Sequence, residues 1–169
     1  MNAAVAGADA IIINSGGFRT TWVPGVIQYQ HFYNMFPFPN IINTFEMTGQ
    51  ELIDTLGVLQ SGAKGFYPTY GLSQIVSLSS SGVKKFISAK FYNGSEIIPT
   101  QNYRVMSLNF LTQGGDDFKD VIGKVYTVRK EILHGDYRTL IQPKLVGLGI
   151  IKEGTLVDPL KPRLTVIKV

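Results

Sequence analysis

Between Leu72 and Leu111 the chain alternates apolar and polar residues over three successive stretches, LSQIVSLS, KKFISAKFY and YRVMSLNFL. Period-two alternation marks strands with one face on a core. Helical signals are confined to other parts of the chain and follow no regular βαβ rhythm. Grouped strands with irregularly placed helices predict an α+β fold, a single domain in which helices pack on a mixed sheet. Asn93-Gly94 reads as a two-residue hairpin turn between strands, since both residues tolerate positive φ. That reading also accounts for the Asn93-Gly94-Ser95 glycosylation pattern.

The rest of the chain fills in around this core. ADAIIIN (8 to 14) is a compact β-branched run ended by a turn, as in a short buried strand. QYQHFYNMF (28 to 36) has helical spacing and stops at Pro37, and NIINTFEM (40 to 47) is strand-like. In TGQELIDTLGVL, Thr48 and Glu51 stand at capping-box spacing ahead of Leu52, Ile53, Leu56 and Leu59 on one helical face. Residues 127 to 146 are expected to be helical in part. Residues 1–169 are read as one domain, with 147–169 an extended tail broken by Pro159 and Pro162.

Composition excludes several functions. Cysteine is absent, which removes disulfides, thiol catalysis and cysteine metal sites. A net charge of +4 is scattered without a basic block, so no nucleic-acid arm is expected. No apolar run approaches the ~20 residues of a membrane span, and no secretory leader is recognisable at Met1 to Ala10. His31 and His134 are the only histidines and lie outside any ligand spacing. Two such residues cannot by themselves build a two-metal hydrolase centre.

Three segments carry recognition chemistry. In Asn14-Ser15-Gly16-Gly17-Phe18-Arg19 a strand runs into a flexible turn flanked by an amide and a guanidinium, suited to a close-lying anionic ligand. In FPFPN (36 to 40), Pro37 and Pro39 hold Phe38 in an extended loop, where an aromatic can stack on a flat ligand. In NFLTQGGDDF (109 to 118), a strand delivers Phe110, then Gly114-Gly115 and Asp116, a carboxylate of the kind that accepts sugar hydroxyls.

Taken in order, ADAIIINSGGFR, FPFPN leading to FEMTGQEL, and YRVMSLNFLTQGGDDF resemble the C-terminal domain of the 5′-nucleotidase and UDP-sugar hydrolase family. The resemblance is clear over residues 8 to 118 and weaker at IIKEGTL. It implies that Phe38 and Phe110 sandwich a base, Asn14 hydrogen-bonds near the base, Asp116 holds ribose hydroxyls and Arg19 faces the phosphate. It further implies no cofactor in this chain. Two divalent metal ions would reside in a separate N-terminal metallophosphatase domain that performs the hydrolysis, so the chain is expected to begin where a larger protein was cut. A typical member would be extracellular, cell-surface or periplasmic. Three positions depart from the family pattern: Pro39 and Asp117 stand where glycine is usual, Asp117 adding a negative charge beside a site meant for anions, and Phe18 stands where a smaller aliphatic is common. The altered loops leave a second reading, a non-catalytic structural or protein-interaction module with a protein partner.

Overall fold

The apolar run beginning at Ala10 forms β1 (Ala10–Ile12), and all three of its residues are buried. A strand covered on both faces needs apolar side chains at every position rather than at alternate ones. β1 is a member of a five-stranded sheet in a computed structural model that describes residues 7–127, 129–152 and 162–169. The other members are β2 (Ile41–Thr48), the two-residue β3 (Thr69–Tyr70), β6 (Asn102–Leu108) and β7 (Ile132–Asp136). Their order is β3-β1-β6-β2-β7, with β1 and β6 parallel and the other pairs antiparallel.

A second sheet has three strands in the order β5-β4-β8, from β4 (Leu72–Leu78), β5 (Lys84–Phe91) and β8 (Leu164–Lys168). The last of these runs parallel to β4. The expected α+β architecture, mixed sheets with packed helices, is therefore what the structure has.

Helix α2 (Gly49–Ser61) opens as the sequence predicts. The Thr48 hydroxyl accepts from the Glu51 N–H, and the Glu51 carboxylate accepts from the Thr48 N–H at 2.8 Å. Two otherwise orphaned donors at the helix start are thereby satisfied. Leu52, Leu56 and Leu59 are fully buried against Ile12, Phe45 and Met47 of the large sheet and Leu72 of β4, while Phe86 of β5 packs on the same cluster. Each such leucine contributes about 1.5–3 kcal/mol by leaving water. The opposite face of the large sheet carries Ile11, Ile42, Met106 and Leu108. It is covered by Phe32 and Phe36, in and just after α1 (Tyr29–Met35), and by Tyr137 of α4 (Tyr137–Leu148).

The segment from 127 to 146 is helical in part, as expected, and contributes β7 before its helix begins. Three local readings change. Strand β6 ends at Leu108, and Asn109–Thr112 turns into the short helix α3. In the C-terminal segment, α4 extends to Leu148 and residues 164–168 form β8, while Pro159 and most of IIKEGTL lie outside the described residues. Asn93-Gly94 makes a turn but does not join two sheet strands. Only Gly94 has positive φ, the Asn93 side chain accepts from the Ser95 N–H, and the true partner of β5 is β4, joined through the Ser79–Val83 turn.

Candidate functional site

Strand β1 delivers Asn14 to the start of a single 3₁₀ turn, Ser15–Gly17. The Asn14 side chain is nine-tenths buried, and its amide Nδ2 donates to Asp116 Oδ2 at 2.9 Å, joining residues 102 positions apart. Its carbonyl Oδ1 is buried without a partner among the described residues. A buried acceptor left unpaired is costly in the protein alone, so Asn14 is poised to accept one more hydrogen bond.

Asp116 follows β6, α3 and the Gly114-Gly115 turn, and it adopts φ +50°. Backbone in the left-handed region is tolerated by Asp better than by most side chains. Gly115 is needed for a steric reason: a β-carbon there would lie 2.6 Å from two ring carbons of Phe110 and 2.5 Å from its carbonyl oxygen. Phe110 thus lies against the bare backbone of Gly115, whose N–H donates back to the Phe110 carbonyl at 2.8 Å. Gly16 and Gly17 differ. A β-carbon at either would make only ordinary contact with Asn14. The protein's own packing does not demand glycine there.

Phe38 sits in the loop between α1 and β2, and the Arg19 guanidinium lies 5.0 Å from its ring centroid. The Arg19 N–H donates to the Met35 carbonyl at 3.1 Å, which fixes this segment on the end of α1. Two further hydrogen bonds hold the Phe38 loop. Arg138, paired through two nitrogens with Asp136, donates to the Pro37 carbonyl at 3.2 Å, and the Ile41 N–H donates to Asn109 Oδ1 at 2.7 Å. The second bond ties the strand after Phe38 to the residue preceding Phe110.

Phe38 is 37% and Phe110 42% exposed, so both rings are excluded from the two cores, and neither stacks on another aromatic among the described residues. Asn14, Arg19, Phe38, Phe110 and Asp116 are thus linked by contacts at one end of the large sheet. The arrangement offers two aromatic faces, a carboxylate, an amide acceptor and a cation.

The charge at Asp117 does not fall where the sequence suggested. Its side chain is 6% exposed and turned inward, accepting from the Lys64 N–H at 3.2 Å, while its own N–H donates to the Tyr67 hydroxyl at 3.0 Å. A β-carbon on Gly62 would come within 2.4 Å of its carboxylate, so the glycine that ends α2 makes room for it. Burial pushes the neighbouring Tyr67 hydroxyl pKa well above its ordinary value.

Sequence reasoning missed Lys64, whose ammonium lies 4.0 Å from Asp116 Oδ1. A loop lysine between glycines carries no signal of its own. It also missed Asn43, almost fully buried, which donates to Thr112 at 2.8 Å and Glu131 at 2.6 Å.

Among the described residues no three His, Asp or Glu side chains converge as a metal site. His31 Nδ1 accepts from the Gln28 N–H at the start of α1, and His134 shares a hydrogen bond with Thr44. No described helix is long and apolar enough to cross a membrane. A separate cavity of about 590 Å³ lies between the large sheet and α4, lined by Ile11, Met106, Leu108, Ile141 and Leu145. Of the site residues only Asn14 and Gly17 reach its border.

Residues 2–123 match the family model described as 5′-nucleotidase, C-terminal domain. The chain belongs to that family. It is 30% identical to the protein UshA of Escherichia coli over 114 residues, which cover 66% of this chain and 20% of UshA. It is 28% identical to a 5′-nucleotidase of Vibrio vulnificus over 118 residues, covering 69% of this chain and 20% of that protein. The crystal structure of a 5′-nucleotidase precursor from Thermus thermophilus superposes with a TM-score of 0.75 at 21% identity, covering 95% of this chain and 32% of that one. The matched part of this 5′-nucleotidase C-terminal domain spans about a fifth of the curated relatives' length.

Proposed function

We propose that this domain binds a nucleotide and positions it for hydrolysis by a separate two-metal domain. The base lies between Phe38 and Phe110, Asn14 Oδ1 accepts a hydrogen bond near the base, Asp116 accepts from ribose hydroxyls, and Arg19 faces the phosphate. The observation that carries this reading is the pair of half-exposed phenyl rings. Both are left out of the cores, yet they are tied to one another through Ile41 and Asn109. Stacking on such rings is worth about 1–3 kcal/mol per base. The glycines at 16 and 17 support the same reading, since they leave room above Asn14 that internal packing does not require.

In this scheme the chain's residues bind and orient, while the metals of the second domain would activate water and stabilise the leaving oxygen. Asp117 motivated a non-catalytic interaction module, but its carboxylate faces the end of α2 rather than the site. The nucleotide reading is therefore preferred.

Calorimetric titration of the 169-residue chain with adenosine 5′-monophosphate tests the proposal. Binding that weakens about tenfold or more in Phe110→Ala is expected. Absence of binding to both proteins overturns it. No phosphate release is expected from this chain, with or without added divalent metal.

A further inference from the structure

The cavity beneath α4 takes no part in the nucleotide scheme. One wall is the face of the large sheet that carries Ile11, Met106 and Leu108, and the other is formed by Ile141, Leu145 and Leu148 of α4. Spacings of four and then three residues put these α4 side chains on one helical face. That face does not close on the sheet. Tyr137 is the only buried residue of α4, Ile141 and Leu145 are half-buried, and Leu148 is 44% exposed. About 590 Å³ is left between the two walls. Water fills such a space poorly, because a buried water needs several polar partners. The wall hydroxyls of Ser107 and Thr69 are already engaged, by the Ile12 carbonyl and the Gln74 amide, each at 2.8 Å.

Charge around the cavity is of one sign. Among the described lining residues Lys144 and Arg163 are cations, and no carboxylate is present. Lys144 is exposed and makes no hydrogen bond or ion pair among the described residues. Arg163 is half-buried, with its guanidinium 4.7 Å from the ring centroid of Tyr70, a wall residue. Both cations therefore stand where the cavity meets solvent. Apolar walls with positive charge only at the mouth suit an amphiphile whose body leaves water while its anionic head stays at the surface. At roughly 30 Å³ for a water-sized group such as a methylene, the space holds on the order of twenty groups, one long acyl chain but not two. We propose that this cavity binds a single-chain fatty carboxylate, its chain between the large sheet and α4 and its head at Lys144 and Arg163. The proposal stands apart from the nucleotide reading, since Arg19, Phe38, Phe110 and Asp116 do not border the cavity.

Trp22, the single tryptophan, lines the cavity and reports on its contents. Titrating the 169-residue chain with laurate, below its micellar concentration, should shift Trp22 emission to shorter wavelength and saturate at one equivalent. Octanoate should bind at least about tenfold more weakly, since each fully buried CH₂ is worth about fourfold. Dodecyltrimethylammonium, with the same chain length and a cationic head, should bind about three- to tenfold more weakly than laurate. Lys144→Glu changes an exposed side chain, leaves the fold intact, and should remove or reverse that preference. Leu145→Gln, with its fold checked by thermal unfolding, should weaken both amphiphiles. The proposal is overturned if laurate gives no saturable change at Trp22, or if the wild type binds the two amphiphiles equally. It is also overturned if the preference is unchanged in Lys144→Glu, or if folded Leu145→Gln binds like the wild type. A chain that ignores laurate but elutes as a dimer in size exclusion would give the cavity to a second copy instead.

Discussion

The amide of Asn14 donates to the carboxylate of Asp116 at 2.9 Å, joining the turn after β1 to the turn after α3. Replacing Asn14 with Asp substitutes an acceptor for the donor and sets two carboxylates against each other. Asn14→Asp is expected to lower stability at pH 7 by about 1–3 kcal/mol and to weaken nucleotide binding. Like-charged carboxylates in contact share a proton as the pH falls. The deficit relative to wild type should therefore shrink between pH 7 and pH 5, as urea midpoints at the two values would show. A deficit independent of pH would mean that the two side chains do not face each other.

Gly115 makes a second, purely steric prediction. The β-carbon of Gly115→Ala would overlap the Phe110 ring, which must swing off the Gly115 backbone. Forcing an extra methyl into a close contact typically costs about 1–3 kcal/mol. Nucleotide affinity should fall at least as far as in Phe110→Ala, because the ring would be present but misplaced. Titration calorimetry together with thermal unfolding separates the loss of binding from the loss of fold.

The parts of this domain that could be read from sequence are those set by local chemistry. The α2 capping box is contained in Thr48 and Glu51, and the burial of β1 in the unbroken apolar run from Ala10 through Ile12. Phe38 could be singled out because prolines flank it in a loop, and Phe110 because a Gly-Gly turn follows it closely after a strand. Parts decided by long-range packing could not be read. The fate of Asn93-Gly94 depends on β4 already pairing with β5. The C-terminal strand finds β4 across the molecule, in parallel register, with no local mark of its partner. Asp117 looked like a charge in the site because sequence adjacency to Asp116 says nothing of direction. Asp116 takes a left-handed φ, and the next carboxylate lies buried against Gly62 and the backbone of Lys64.

Acid stability follows from the carboxylates held in ion pairs. Burial raises the pKa of the Glu51 carboxyl, but hydrogen bonds from Arg129 and Thr48 outweigh it and hold the group below its ordinary value of 4.5. Asp136 behaves alike: burial is overcome by the Arg138 side chain and backbone N–H, and the pKa falls below 3.8. Asp120 is held down to about 2 by Lys119 and then Lys124, but its side chain is 41% exposed and screening leaves it little weight. For Glu51 and Asp136 the folded value lies below the unfolded one. Their stabilisation is therefore complete above about pH 4.5 and is lost as the pH falls through the lower folded values. Urea midpoints should be flat from pH 7 to 5 and then drop. In Glu51→Gln the drop should be shallower and the neutral-pH stability lower by about 0.5–2 kcal/mol, the usual worth of a helix cap.

Arg19 separates the recognition of phosphate from the recognition of the base. Its guanidinium lies over Phe38, a contact worth about 0.5–1 kcal/mol at an exposed site, and it is the cation proposed to face the phosphate. Arg19→Ala removes the charge and uncovers one face of the Phe38 ring. Adenosine affinity should therefore change by no more than about threefold. Affinity for the 5′-monophosphate should fall about tenfold, the worth of one charged hydrogen bond. Salt gives an independent readout. Raising ionic strength should weaken wild-type binding of the monophosphate by screening, and Arg19→Ala should show little of that dependence. Equal losses for nucleoside and monophosphate would instead assign Arg19 to holding Phe38, with the phosphate recognised by another group.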